Sequence, residues 1–327
     1  MGGAAIPTLS LSGCEKPMPV IGMGTMAYPP ADIETTKAAI LEAMRAGYRH
    51  FDTAFAYGSE KPLGEAIAEA LRVGLIQSRD ELFITTKLWS SFADPAQVVP
   101  ACRMSLQNLQ LEYVDMYLIH QPVRLTEMIS RTPVAAEIIR PLDVKGVWEG
   151  MEECKNLGLT KGIGVSGDEP YLAAKAIKGI LQGKRCSHYC LLSLGANNTK
   201  WGDNRIVESD VLADIAKAKG KTTAQVALRW AYEQGVSIVT KSFNKQRMRE
   251  NLQIFDWALS TDDLEKINQL QQRKGTTLAS IFGPHDLLWS LMPRFNYNLL
   301  LYFGVVLMNK KLRLFLGCWV LYPLLKY

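Results

Sequence analysis

The sequence predicts an α/β fold, a TIM-type (β/α)8 barrel that is incomplete, with about seven strands visible. The first observation is a series of short apolar runs rich in β-branched and aromatic residues, at 19–25, 48–52, 82–88, 114–120, 161–166, 189–194 and 236–241. Near-continuous apolar runs suit strands buried on both faces of a parallel sheet. The second is that stretches with helical periodicity separate these runs. The third is spacing. Strand starts recur at roughly 27–47 residues, and eight units in about 250 residues need roughly 31 each.

Each helix has its own justification. Residues 31–47 carry Ile33, Ala38, Ile40, Leu41 and Met44, then stop at Gly47 in the C′ position. Residues 63–75 place Leu63, Ile67, Ala70 and Leu71 on one face. Residues 95–109 open on Asp94 as N-cap with Pro95 at the first helical position. Residues 143–158, 169–182, 207–219 and 222–234 follow the same logic. A short basic helix, 245–254, follows the last strand.

Composition narrows the function classes. The chain is 48% hydrophobic and 21% charged, near the globular average, which excludes wholesale disorder. The net charge of +5 comes with no long basic block, so nucleic acid is not an expected partner. A mild positive field suits an anionic ligand. The six cysteines lie far apart and no secretory segment follows Met1, which reads as reduced thiols and a cytoplasmic chain. Cys186, His188 and Cys190 have metal-like spacing, but a zinc site needs a second ligand pair and none is suitably spaced, so no metal is expected.

In such barrels the chemistry gathers at the C-terminal ends of the strands. Those ends carry Asp52, Lys87, His120, Ser166 and Lys241. Tyr57 lies five residues beyond Asp52, on the loop before a helix. A phenol is a poor acid at neutral pH, and a neighbouring ammonium favours its ionised form. Lys87 is placed to supply that charge from the next strand, with Asp52 holding it. His120, one strand further on, is placed to donate a hydrogen bond to a substrate oxygen. Together they make a carbonyl polariser and proton donor of the kind that hydride delivery to an aldehyde or ketone requires.

Two other motifs compete. Gly22, Gly24 and Ala27 fit G-x-G-x-x-A, with Asp52 ending the next strand as a ribose-binding acid would. That fingerprint must open a helix, and Pro29 and Pro30 follow at once. Tyr57 and Lys61 also spell Y-x-x-x-K, but Gly58 and Pro62 bracket the pair at a loop-to-helix joint. A second site signal follows the last strand. Lys241, Ser242 and Arg247 can converge on a phosphate at the start of the helix 245–254.

These motifs resemble the aldo-keto reductase superfamily. The resemblance rests on Gly-Tyr-Arg-His-Phe-Asp-Thr-Ala-Phe-Ala-Tyr-Gly at 47–58, Ile-Thr-Thr-Lys-Leu-Trp at 84–89, Val-Asp-Met-Tyr-Leu-Ile-His at 114–120, Gly-Ile-Gly-Val-Ser at 162–166 and Ile-Val-Thr-Lys-Ser at 238–242. It covers residues from about 6 to 166 and from about 189 to 284. Residues 194–202 and 217–230 look like the plant branch, which includes codeinone reductase, chalcone reductase and deoxymugineic acid synthase.

The resemblance implies an NADPH-dependent reductase of a small-molecule carbonyl, acting as a monomer. Tyr57 would be the proton donor, Lys87 and Asp52 its tuning partners, and His120 the orienting residue. Gly24 and Thr25 would approach the nicotinamide side by backbone, Ser166 would meet the nicotinamide amide, and Leu194 and Gly195 would also contact the cofactor. Lys241, Ser242, Arg247 and Asn251 would hold the adenosine end, with the 2′-phosphate on Lys241 and Arg247. Trp89 would line the substrate mouth.

The departures carry their own expectations. Ser166 is followed by Gly167 where the family has Asn, and the nicotinamide-stacking Tyr aligns with Leu191. From Ser166 to Gly195 there is room for one helix and one strand only, so a whole βα unit is expected to be missing between about 167 and 190. The barrel is expected to occupy 1–286, followed by an atypical apolar tail at 287–327. Neither apolar run within 299–325 reaches the roughly 18–20 residues of a spanning helix, so membrane association through the tail is the lesser expectation. The alternative function is a weak or inactive barrel that binds NADPH or a partner without turnover.

Overall fold

The structure, a computed structural model, describes residues 5–11, 13–121, 123–128, 138–166 and 208–270, and the backbone of 189–190. Its centre is a seven-stranded parallel sheet. Numbered in chain order, β1 (Thr8–Leu9) and β2 (Met18–Pro19) form one short hairpin, β7 (Arg124–Leu125) and β8 (Ile139–Arg140) form a second, and the sheet consists of β3 (Ile21–Gly24), β4 (His50–Asp52), β5 (Phe83–Leu88), β6 (Val114–Ile119), β9 (Thr160–Val165), β10 (Tyr189–Cys190) and β11 (Ser237–Thr240). Their spatial order is β10-β11-β3-β4-β5-β6-β9. Every ladder in the sheet is parallel. The order follows the chain cyclically, and the last strand lies beside the first. A doubly wound sheet would reverse its strand order at the first strand; this one keeps a single cyclic order, as the strands of a barrel do.

Among the described residues no ladder joins β9 to β10. The expected missing unit and the helix 169–182 fall outside the described residues, as do Leu194, Gly195 and the tail 287–327.

The helices cover the sheet from outside. They are α1 (Ile33–Ala46), α2 (Glu60–Arg72), α3 (Val98–Leu109), α4 (Val144–Asn156), α5 (Asp210–Lys219), α6 (Thr223–Glu233), α7 (Lys245–Leu252) and α8 (Thr261–Asn268). One apolar core runs between these layers, from Ile21, Phe51 and Ile84 on the strands to Ile40, Leu63, Leu106, Val147 and Leu228 on the helices. Helix α1 starts on Asp32, whose carboxylate accepts from the Thr35 amide. It ends where Gly47 takes φ 112° and donates to the carbonyls of Ala43 and Met44. That left-handed C′ position is why a glycine stands there.

Several boundaries differ from the sequence expectation. The apolar run 19–25 is two elements. Met18–Pro19 pairs antiparallel with Thr8–Leu9 as an N-terminal hairpin, and only Ile21–Gly24 joins the sheet. Leu11, Cys14 and Met18 pack on Phe83, the first residue of β5, so the hairpin covers the N-terminal end of the barrel. Pro95–Gln97 forms a separate 3-10 turn capped by Asp94, and α3 proper starts at Val98. Helix α2 starts at Glu60, three residues before the expected 63. A second hairpin, Arg124–Leu125 with Ile139–Arg140, follows β6. Two-residue strands carry too little alternation to register in a periodicity scan.

One core residue makes stability depend on pH. His50 is fully buried, edge-on to Phe83 at 5.3 Å, with Nδ1 3.1 Å from the Pro19 carbonyl, to which it donates. A Cβ at Gly22 would lie 2.6 Å from that nitrogen, so only glycine fits there. Burial pushes the His50 imidazole down to about 4, against the pull of Asp52. The unfolded chain therefore takes up a proton near the ordinary 6.5 that the folded chain refuses. The contribution of His50 is fully present above about 6.5 and is lost as pH falls toward 4. From this group alone, urea unfolding is expected to give roughly 2 kcal/mol less stability at pH 5 than at pH 7. A flat profile across that range would contradict it.

Candidate active site

The C-terminal ends of β3, β4, β5 and β6 bring Thr25, Asp52, Lys87 and His120 together in one place. Lys87 is buried, and its ammonium donates to Asp52 Oδ1 at 2.6 Å and to the Thr53 carbonyl at 2.9 Å. Burial alone would push this lysine down. The Asp52 carboxylate and then the Tyr57 phenol more than offset that, and its pKa is raised above the ordinary value. The ammonium is thus a fixed positive charge at any physiological pH.

Tyr57 ends a 3-10 turn, Phe55–Tyr57, closed by Gly58 in the left-handed conformation. Its ring lies 4.8 Å from the Lys87 ammonium. Its hydroxyl is 3.4 Å from His120 Nε2, and the two rings meet edge to face at 5.3 Å. His120 is buried between Tyr57 and Trp89, whose ring centroid is also 5.3 Å away. Burial and the Lys87 charge hold its imidazole well below the usual histidine value, so it is neutral. His120 Nδ1 is buried with no hydrogen-bond partner among the described residues. A neutral imidazole, a phenol and a buried ammonium therefore converge. This set can polarise a carbonyl oxygen and give it a proton.

The joint between Tyr57 and α2 explains how the turn is held. Ser59 and Glu60 are both buried, which is unusual for polar residues at a helix start. Tyr57 and Lys61 fall on different elements, the 3-10 turn and α2, so they share no helical face. Gly24 and Thr25 lead into a loop, and the next helix begins at Ile33, so the G-x-G-x-x-A match opens no helix.

The second cluster is at the end of β11. Lys241 follows the strand, and α7 starts on Asn244, whose side chain accepts from the Arg247 amide. Lys241 Nζ lies 4.5 Å over the Phe243 ring. Its ammonium is held below the usual lysine value by burial and by the charge of Arg247. Lys245 and Arg249 are engaged by Glu42, but Arg247 forms no ion pair among the described residues. Two cations at a helix start, neither paired with a carboxylate among the described residues, fit an anionic group. Ser242 is buried beside them, and a Cβ on Gly24 would come within 3.9 Å of Lys241 Cβ, so the two clusters adjoin. Asn251 is buried on α7, four residues beyond Arg247.

Ser166 closes β9, with its amide on the Ile119 carbonyl at 2.8 Å. Leu194 and Gly195 lie outside the described residues, and so do Cys186 and His188. No helix among the described residues is long and apolar enough to cross a membrane.

The Aldo/keto reductase family model matches residues 20–188 and 191–272. The chain is 55% identical to the D-galacturonate reductase of Fragaria ananassa over 310 residues, covering 87% of this chain and 97% of that protein. It is 45% identical to NADPH-dependent codeinone reductase 1-4 of Papaver somniferum, covering 87% and 95%. Among solved structures it is similar to a Bombyx mori aldo-keto reductase in complex with NADP, with TM-score 0.68, 27% identity and coverage of 80% and 93%.

Proposed function

We propose that this chain, which belongs to the aldo/keto reductase family, reduces an aldehyde or ketone to an alcohol with NADPH and with Tyr57 as proton donor. The observation that carries this reading is Lys87. Its ammonium is held by Asp52 at 2.6 Å and lies 4.8 Å from the Tyr57 ring, while the Tyr57 hydroxyl faces His120 at 3.4 Å. NADPH supplies the hydride when bound. Tyr57 gives its proton to the carbonyl oxygen, and Lys87 stabilises the phenolate that remains. Neutral His120 donates from Nε2 to the same oxygen and orients it. That donation requires the Nε2–H tautomer. Trp89 walls the entrance beside His120.

Lys241, Ser242, Arg247 and Asn251 hold the adenosine end, with the 2′-phosphate on Lys241 and Arg247. Arg247→Glu is expected to weaken NADPH binding roughly 10–100-fold, the worth of a charge-assisted hydrogen bond. NADH binding should stay nearly unchanged. Fluorescence titration with both cofactors checks this, and equal losses would move the phosphate site elsewhere.

A second reading, weak or absent turnover by a shortened barrel, is favoured by one observation. The match to the Fragaria ananassa protein runs over 310 residues but uses only 87% of a 327-residue chain. That supports a deficit inside the chain, which the spacing after Ser166 places between about 167 and 190. The deciding experiment is NADPH oxidation with a simple aldehyde, with D-galacturonate and with codeinone, beside NADPH titration by fluorescence. Turnover supports the first reading. Tight binding without turnover on any carbonyl supports the second.

A further inference from the structure

We infer that Ser59 is a positioning residue for the proton transfer, fixing the Tyr57 turn against the backbone that holds Lys87. The inference rests on the proton-donor reading of Tyr57. Ser59 Oγ is 2.7 Å from Thr25 Oγ1 and 2.9 Å from Thr53 Oγ1. Thr25 Oγ1 donates to the Asp52 carbonyl at 3.1 Å. That bond uses the one proton Thr25 has, so Ser59 donates to Thr25, and Thr53 in turn donates to Ser59. The chain Thr53 to Ser59 to Thr25 to the Asp52 carbonyl has a single proton order. All four residues are at least nine-tenths buried, so water does not compete for these bonds.

The position of this chain gives it a consequence. Asp52 and Thr53 are the two residues that hold the Lys87 ammonium. Ser59 is two residues beyond Tyr57. The hydroxyl chain therefore ties the tyrosine turn to the same two residues that aim the lysine. It also ties both to Thr25, at the start of the loop after β3. Glu60 provides a second anchor on the other side. It accepts from Thr86, the neighbour of Lys87, at 2.7 Å and from Asn108 on α3 at 2.9 Å. The turn carrying Tyr57 is thereby fastened to β3, β4 and β5 within four residues. Gly58, between Tyr57 and Ser59, leaves the turn little stiffness of its own.

The titratable groups facing Tyr57 are Lys87 with its partner Asp52, and His120. An ammonium close to a phenol favours the phenolate. Loosening the turn weakens that effect, so the phenol is expected to lose its proton at higher pH. The test compares wild type with Ser59→Ala and Ser59→Thr in steady-state reduction across pH. Ser59→Ala is expected to lower kcat about 10-fold, as a displacement well under 1 Å does. The alkaline limb of its kcat profile should move to higher pH, with NADPH affinity unchanged. Ser59→Thr keeps the hydroxyl and should restore the limb. A reduced kcat with the limb in place would overturn the inference, because a merely structural role does that.

Ultraviolet difference titration of the Tyr57 phenol, each protein against its own Tyr57→Phe counterpart, needs no turnover. If wild type turns over no carbonyl, the proton-donor reading fails by that result alone. The titration still decides whether Ser59 sets the phenol's surroundings: a shift in Ser59→Ala supports it, and no shift overturns it. Should Ser59→Ala not fold, Ser59→Cys has similar size and only a weak donor, and it is read in the same way.

Discussion

Tyr57→Phe is expected to remove at least about 100-fold of kcat, because general acid catalysis typically contributes 10²–10⁴. The ring is retained, so its edge contact with His120 at 5.3 Å and its place over Lys87 at 4.8 Å survive. Only the hydroxyl is lost, and with it the proton that the carbonyl oxygen must receive. Tyr57 is part-exposed and on a turn, so little folding stability depends on that hydroxyl. NADPH affinity should not change, since the proposed phosphate contacts are on α7 and at the end of β11. The measurement is single-turnover NADPH oxidation beside cofactor titration. Full activity in the Phe variant would remove Tyr57 from the mechanism. Residual activity rising with pH would point to a base rather than an acid.

The sheet was legible in the sequence because its strands are buried on both faces. Burial on both faces leaves an apolar run, as at β5, where all six residues from Phe83 to Leu88 are buried. The candidate set at the strand ends was legible for the opposite reason. Asp52, Lys87 and His120 are polar residues ending or following such runs, and a parallel barrel places every strand end on one face. The N-terminal hairpin was not legible, because Met18–Pro19 is apolar like the strand that follows it. Only the antiparallel pairing with Thr8–Leu9 separates the two. The hydroxyl chain through Thr25, Thr53 and Ser59 left no pattern either. Its members come from two strand ends and a helix start, and serine and threonine are ordinary in all three places. The one available signal was Ser59 and Glu60 at the first turn of a helix, which reads as a simple capping preference. The burial of both residues, and their partners across the sheet, emerge only from the packing.

Lys87→Met is expected to damage both stability and rate, and the two effects can be separated. The Lys87 and Asp52 side chains are 3% and 2% exposed, and their charged atoms are 2.6 Å apart. Removing the ammonium leaves Asp52 as a buried carboxylate without its counter-charge. Breaking such a pair from one side costs about 3–5 kcal/mol, because the charge left behind is not resolvated. For a domain of this size that lowers the melting midpoint by roughly 6–20 °C. The Thr53 carbonyl also loses its donor. Replacing both partners is expected to be milder: Asp52→Asn with Lys87→Met carries no unpaired charge and should recover most of the midpoint. The rate should not recover with it. In the double variant Tyr57 still lacks the ammonium that stabilises its phenolate, so kcat should stay at least about 100-fold down, the span of an acid–base contribution. Thermal unfolding and NADPH oxidation on the single and double variants close the cycle. If the double variant regained both midpoint and rate, Lys87 would be a structural counter-ion to Asp52, with no part in the proton transfer.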